Sequence, residues 1–245
     1  MQIANSRPVT QSSAMQLPHL FLLRRLVPAF LLALSAACAG GDARAADSLP
    51  PPSDTLSDSL LIARADRGRT MGSDSAPIWI VMFSDYQCPY CRQFHDDPLR
   101  LVVENYVNTG KARFAYLHLP LPNHPHARPA ARASLCASAQ GKFWEYSDSV
   151  FNAQPRLRAM ADASPLLVGI AGKIGLDMQA FAHCQRSNVV ERMVQSDEQQ
   201  AEMAGVRSTP SFFVGDFLVQ GMAPYDDFRR AVDTALFVAA KKRKH

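Results

Sequence analysis

Two cysteines, Cys88 and Cys91, stand three residues apart in Phe83-Ser84-Asp85-Tyr86-Gln87-Cys88-Pro89-Tyr90-Cys91-Arg92-Gln93-Phe94-His95. An apolar run from Ile78 to Phe83 leads into them, and an amphipathic pattern (Phe94, Leu101, Val102, Tyr106) leads out. The pair therefore falls where a strand hands over to a helix. A thiol at a helix N-terminus faces unpaired backbone N–H groups and the positive end of the macrodipole, and both favour thiolate. Such cysteines have pKa values lowered from about 8.5 into the range of about 3.5 to 7.5. Pro89 suits the first helical turn, where its missing N–H would have gone unbonded anyway. Cys91, one turn on, shares the helical face and can close a disulfide with Cys88. This spacing supports thiol–disulfide exchange, with Cys88 attacking and Cys91 resolving.

Two other uses of a C-x-x-C pair compete with that reading: half of a zinc site, or an inert structural disulfide. A second C-x-x-C or a matching His pair is missing from the sequence, and His95 is the one nearby extra ligand. Redox chemistry is the stronger reading, and neither a metal nor a cofactor is expected.

The chain has 245 residues, room for one sizeable domain or two small ones, with ordinary apolar content and a formal charge of +4. Basic residues are scattered, apart from Lys241-Lys242-Arg243-Lys244, which reads as a solvated tail (241–245). No nucleic-acid partner is expected. Arg24-Arg25, the apolar run Leu26 to Ala37 and the small residues after it form a secretory signal over residues 1–39, its apolar core too short for a bilayer span of roughly 20 residues. Met15 competes with Met1 as its start. Cys38 follows Ser35-Ala36-Ala37, similar to a lipoprotein cleavage box with its leucine (Leu34) one position early, so Cys38 is a candidate lipidation site. Ala37-Cys38-Ala39 and Ala43-Arg44-Ala45 suit ordinary signal peptidase as well. Either route delivers the chain to an oxidising compartment, periplasmic or otherwise extracytoplasmic. Residues 40–67, small, polar and Pro-rich, read as a disordered linker.

Beyond the targeting end, four cysteines remain. If Cys88 and Cys91 pair as a redox-active disulfide, Cys136 and Cys184 either bridge or stay free. A bridge would close a 48-residue loop and stabilise by about 4 kcal/mol in the chain-entropy model. The alternative is two buried thiols packed as small apolar groups.

The elements that must position the pair follow from periodicity. Ile78–Phe83 is a continuous apolar strand, expected to be covered on both faces. A helix runs from the cysteines to about Asn108, kinked at Pro98, and a strand covers about 112–119. Helical patterns then follow over 129–139, 143–152, 165–174, 178–187 and 189–204. Strands at 211–214 and 217–220 and a closing helix over 225–238 complete the chain. Phe143, Trp144 and Phe151 suit either a substrate groove or the core, with the core favoured.

Ser84-Asp85-Tyr86-Gln87-Cys88-Pro89-Tyr90-Cys91-Arg92-Gln93-Phe94-His95, together with Gly205-Val206-Arg207-Ser208-Thr209-Pro210-Ser211-Phe212-Phe213-Val214-Gly215 downstream, resembles the DsbA-like thiol:disulfide oxidoreductases of the thioredoxin superfamily. The resemblance covers about residues 72–240. It implies an α/β thioredoxin-like fold in two parts, 68–121 and 205–240, with a helical insert over 122–204. It implies a cis-proline loop at Thr209-Pro210 that presents backbone to an extended substrate beside Cys88, with Pro89 and Tyr90 as active-site neighbours. It also implies a monomer that acts as a dithiol oxidase on reduced or unfolded exported proteins and is recycled by a membrane redox partner. Tyr90 stands where the best-known DsbA has His, and Met82 where relatives often keep a buried acid, a role for which Asp85 or Glu145 is a candidate. Cys-Pro-Tyr-Cys with Thr before Pro also resembles the DsbG-type isomerases.

Overall fold

The computed structural model describes residues 57–243. The signal segment, Cys38 and residues 40–56 lie outside them. A five-stranded sheet has the order β1-β3-β2-β4-β5, with β1 Thr70–Met71, β2 Ile78–Ser84, β3 Ala112–His118, β4 Ser211–Val214 and β5 Phe217–Gln220. β2 and β3 are parallel, with Ile78 opposite Ala112, as the crossover between them requires. The β1–β3, β2–β4 and β4–β5 pairs are antiparallel.

The crossover differs from one kinked helix. α2 (Pro89–Asp96) stops at Asp97, whose φ of −136° is not helical, and α3 (Pro98–Val102) starts afresh before a π-helical turn over Val103–Val107. Pro98 has no N–H to give and disfavours helical backbone at the residue before it.

Seven helices follow: α4 Ala127–Ala139, α5 Phe143–Asn152, α6 Gln154–Ala159, α7 Ser164–Lys173, α8 Met178–Arg186, α9 Asn188–Met203 and, after the β4–β5 hairpin, α10 Tyr225–Lys242. The short α6 is not among the helices expected from sequence. α4 is the hub: Ala130, Ala131, Ala133 and Ala137 are buried, and their small side chains let neighbouring helices come close. Cys136 on α4 and Cys184 on α8 form a disulfide, with Cα atoms 5.7 Å apart. Phe143 and Phe151 are fully buried, and Trp144 packs edge-on against Phe114, Tyr116 and Phe143, so all three belong to the core.

Two expectations need correction. Residues 58–67, read as linker, form most of α1 (Asp58–Gly68). Its Leu61 and Ala65 are buried, Ser138 Oγ donates to the Ala65 carbonyl, and the following Arg69 makes a buried ion pair with Asp197 of α9. Local composition is polar, but the helix is held by tertiary contacts that composition does not encode. β2, expected to be covered on both faces, is covered on both only toward its Cys88 end: Ile80 and Met82 are buried on one face and Phe83 on the other, against Ala201 and Val206, whereas Trp79 is 42% exposed and Val81 half-buried.

Gly68 shows how close α1 sits to α4. A Cβ there would lie 2.6 Å from the Ser138 carbonyl oxygen. Gly68→Ala is therefore expected to destabilise the fold by about 1–3 kcal/mol through overpacking. Calorimetry should show Tm lowered by several degrees, and an unchanged Tm would mean that α1 yields freely.

Candidate active site

Cys88 is the N-cap of α2, with Pro89 at the first helical position. Its sulfur donates to the Thr209 carbonyl at 3.3 Å. The Thr209–Pro210 peptide bond is cis, and both residues are buried. The fold thus brings together two segments 121 residues apart. They meet because β4, which follows Pro210, pairs with β2, which precedes Cys88. Cys88 and Cys91 are both free thiols here, so the molecule is the dithiol form. Cys91 is completely buried, whereas Pro89 is exposed and Tyr90 is 58% exposed.

The loop that carries the cysteines is held by polar side chains. The Asp85 carboxylate accepts from Gln87 N (2.7 Å) and Leu121 N (2.8 Å) and meets His124 Nδ1 at 2.7 Å. Gln87 Oε1 accepts from His126 N. Gln154, at the start of α6, donates to the Tyr86 and Cys88 carbonyls at 2.8 and 2.9 Å. Tyr86 is buried with its hydroxyl 2.7 Å from Ser147 Oγ, and burial pushes its pKa up to about 12. Asp85 and Glu145, weighed as acids for Cys91, are placed elsewhere: the first is bound as described and the second is exposed on α5. His95 meets Asp148 at 2.7 Å and lies on the Phe151 ring. Among the described residues, no group of three or more His, Cys, Asp or Glu is arranged to hold a metal ion.

The two sulfurs are electrostatically opposite. A hydrogen bond from the Cys91 thiol is the largest cause that lowers the Cys88 pKa, to about 6. Burial acts against it, while the Thr209 hydroxyl and the backbone N–H groups of Cys91 and Tyr90 add to it. Burial drives the Cys91 pKa far up, reinforced by its donation to Cys88. The Ser84 hydroxyl and the Asp85 backbone pull Cys91 the other way. The Ser84, Thr209 and Tyr116 hydroxyls are buried without a hydrogen-bond partner. Those of Ser84 and Thr209 each become donors once the neighbouring sulfur loses its proton. Gln154 carries no sequence motif, and Ser84, though it opens the segment that resembles the DsbA-like proteins, is marked as a neighbour of Cys91 only by its place in the fold.

A family model described as thioredoxin matches residues 64–234. This chain belongs to that thioredoxin family. Disulfide bond formation protein D of Bacillus subtilis is 23% identical over 181 residues, 68% of this chain and 76% of its own length. The structure of oxidised BdbD from Bacillus subtilis shares the fold, with TM-score 0.62 and 23% identity over 69% of this chain and 94% of that one. An Na(+)/H(+) antiporter NhaA 1 of Salinispora arenicola is 32% identical over 198 residues, 79% of this chain but 28% of the antiporter. This thioredoxin-family chain thus spans under a third of the first such relatives it matches. Its fold is the DsbA-like form, a thioredoxin sheet with an inserted helical region.

The sign of the pH dependence follows. Cys88 has its pKa depressed by folding, so it stabilises the dithiol form fully above the unfolded value of about 8.5. That contribution is lost as pH falls through about 6. Cys91, held up by folding, acts in the opposite sense above about 8.5. Thiolate absorbance should therefore titrate with a midpoint near 6, and Thr209→Val should move it upward; a midpoint at the free-cysteine value would refute the assignment. Ser84→Ala should raise the Cys91 pKa and slow its attack on a mixed disulfide by about 2- to 10-fold, the worth of one hydrogen bond. Trapped mixed disulfide, read by mass spectrometry, should accumulate accordingly, and an unaltered rate would remove Ser84 from the chemistry.

Proposed function

We propose that the chain is a thiol:disulfide oxidoreductase of the cell envelope that exchanges disulfides with exported proteins through Cys88 and Cys91, chiefly as a dithiol oxidase. One observation carries the reading: Cys88 caps α2 with its sulfur 3.3 Å from the carbonyl before the cis-proline, one turn from the fully buried Cys91. In the oxidised enzyme, a substrate thiolate attacks Cys88 Sγ. The Cys88–Cys91 bond breaks, a mixed disulfide forms, and Cys91 leaves and takes up a proton. A second substrate thiolate attacks the substrate's own sulfur and expels Cys88 as thiolate. Two electrons pass from substrate to enzyme, and a membrane redox partner removes them.

Direction follows from leaving-group stability. The more the Cys88 thiolate is stabilised, the stronger an oxidant the disulfide becomes. A pKa of about 6 lies between about 7 for thioredoxin and about 3.5 for DsbA. The potential should accordingly fall between about −270 and −120 mV. The Thr209 backbone beside Cys88 is suited to pairing with an extended substrate. A groove of about 500 Å³ between α2 and α6 is bordered by Pro89, the residue after Cys88, and by Arg92, Gln154 and Arg158. The substrates, the monomeric state, the recycling partner and a lipid anchor at Cys38 belong to this same proposal.

Wild type should oxidise a reduced dithiol peptide and reduce insulin, and Cys88→Ala should lose both activities by orders of magnitude. Equal rates for the two proteins would overturn the proposal. Oxidation slower than reduction at the potential of an oxidising compartment would favour a reductase or isomerase instead.

A further inference from the structure

Nine large apolar side chains stand exposed among the described residues; two of them, Trp79 and Phe217, line one open groove at an end of the sheet, with Leu218 next to Phe217 on the opposite sheet face and Phe237 on the outer side of α10. Three elements meet there: the start of β2, the β4–β5 turn and the last turns of α10. The Gly215 N–H donates to the Trp79 carbonyl at 2.8 Å, which ties the turn to β2. Gly215, at φ +58°, lets α10 close in, since a Cβ there would meet Ala235 at 3.2 Å. An open groove of about 290 Å³ runs between Pro77, Trp79, Phe217 and Val238.

The rim of this apolar end is basic. The Arg113 guanidinium lies 4.5 Å from the Trp79 ring centroid, and Lys241 Nζ lies 4.7 Å from that of Phe237. Lys242 and Arg243 follow on the same turn, and the sequence continues with Lys244. Two acids face them: Asp216 pairs with Lys242 at 2.7 Å, and Asp74 pairs with Arg113. Cations remain in excess. The end is also remote from the redox pair, because β2 begins at Ile78 and Cys88 lies beyond its far end.

We propose that this end of the molecule docks on an anionic phospholipid surface. Aromatic rings settle at the headgroup level, and cations beside them are drawn to anionic lipid. A nucleic-acid backbone would engage the cations but gain nothing from Phe217 and Leu218, and a second copy of this chain would set like charges against each other. Docked this way, the protein directs Cys88 away from the bilayer, toward soluble substrates.

The processed full chain is mixed with vesicles whose acyl chains carry bromine, and Trp79 emission is followed. This readout reports the docking end whatever holds the N-terminus. Phosphatidylglycerol vesicles should blue-shift and quench the emission, and phosphatidylcholine vesicles should not. Added salt should weaken the response, and Trp79→Phe should abolish it. Lys241→Gln/Lys242→Gln/Arg243→Gln should weaken the lipid response at least tenfold, at roughly fivefold per cation, while dithiol-peptide oxidation stays unchanged. Absence of Trp79 quenching, or quenching that the triple variant retains in full, would overturn the proposal. So would a Trp79 response to duplex DNA or to protein concentration in place of lipid.

Discussion

The approach of the buried Cys91 thiol to the Cys88 sulfur, within one turn of α2, sets the character of the site. It places a single proton between two sulfurs and assigns it to the buried one. Burial alone would raise both pKa values, because a thiolate loses more than a thiol when water is removed. Cys88 escapes because it caps α2, where backbone N–H groups and the Thr209 hydroxyl converge on it. Cys91 lies one turn deeper and has little to offset desolvation beyond Ser84 and one backbone group. The asymmetry between the two sulfurs is therefore a matter of depth along one helical turn.

The inserted helices are part of that arrangement. Gln154 of α6 holds the carbonyls of Tyr86 and Cys88. Ser147 and Asp148 of α5 meet Tyr86 and His95. The segment leading into α4 supplies Leu121 N, His124 and His126 to Asp85 and Gln87. A loop carrying reactive sulfur needs its backbone partners satisfied, and here the insert satisfies them. The Ala-rich α4 keeps these helices close enough to reach.

Much of this was legible in the residues themselves. The strands 211–214 and 217–220 and the helix 143–152 follow directly from local periodicity and turn chemistry. The cysteine pair at a strand-to-helix junction needs only local pattern to be seen. What was not legible depends on distant contacts. β1 has two residues, too few for a period to show. α1 has a polar sequence and is held by Arg69–Asp197 and by the fit of Gly68 on α4. α6 begins Gln154-Pro155 and is only six residues long. Ser84, Gln87 and Gln154 are ordinary polar residues until the fold sets them against the cysteine loop. Position in the chain singled out the two sulfurs; only three-dimensional placement shows the groups that surround them.

The bridge between α4 and α8 has a bearing on how each molecule comes into being. Its closure removes two electrons from Cys136 and Cys184 of the newly made chain. An oxidant must therefore act on this protein before its own helical region is covalently complete. Under the function proposed above, another copy whose Cys88–Cys91 pair is in the disulfide state is chemically equipped to be that oxidant.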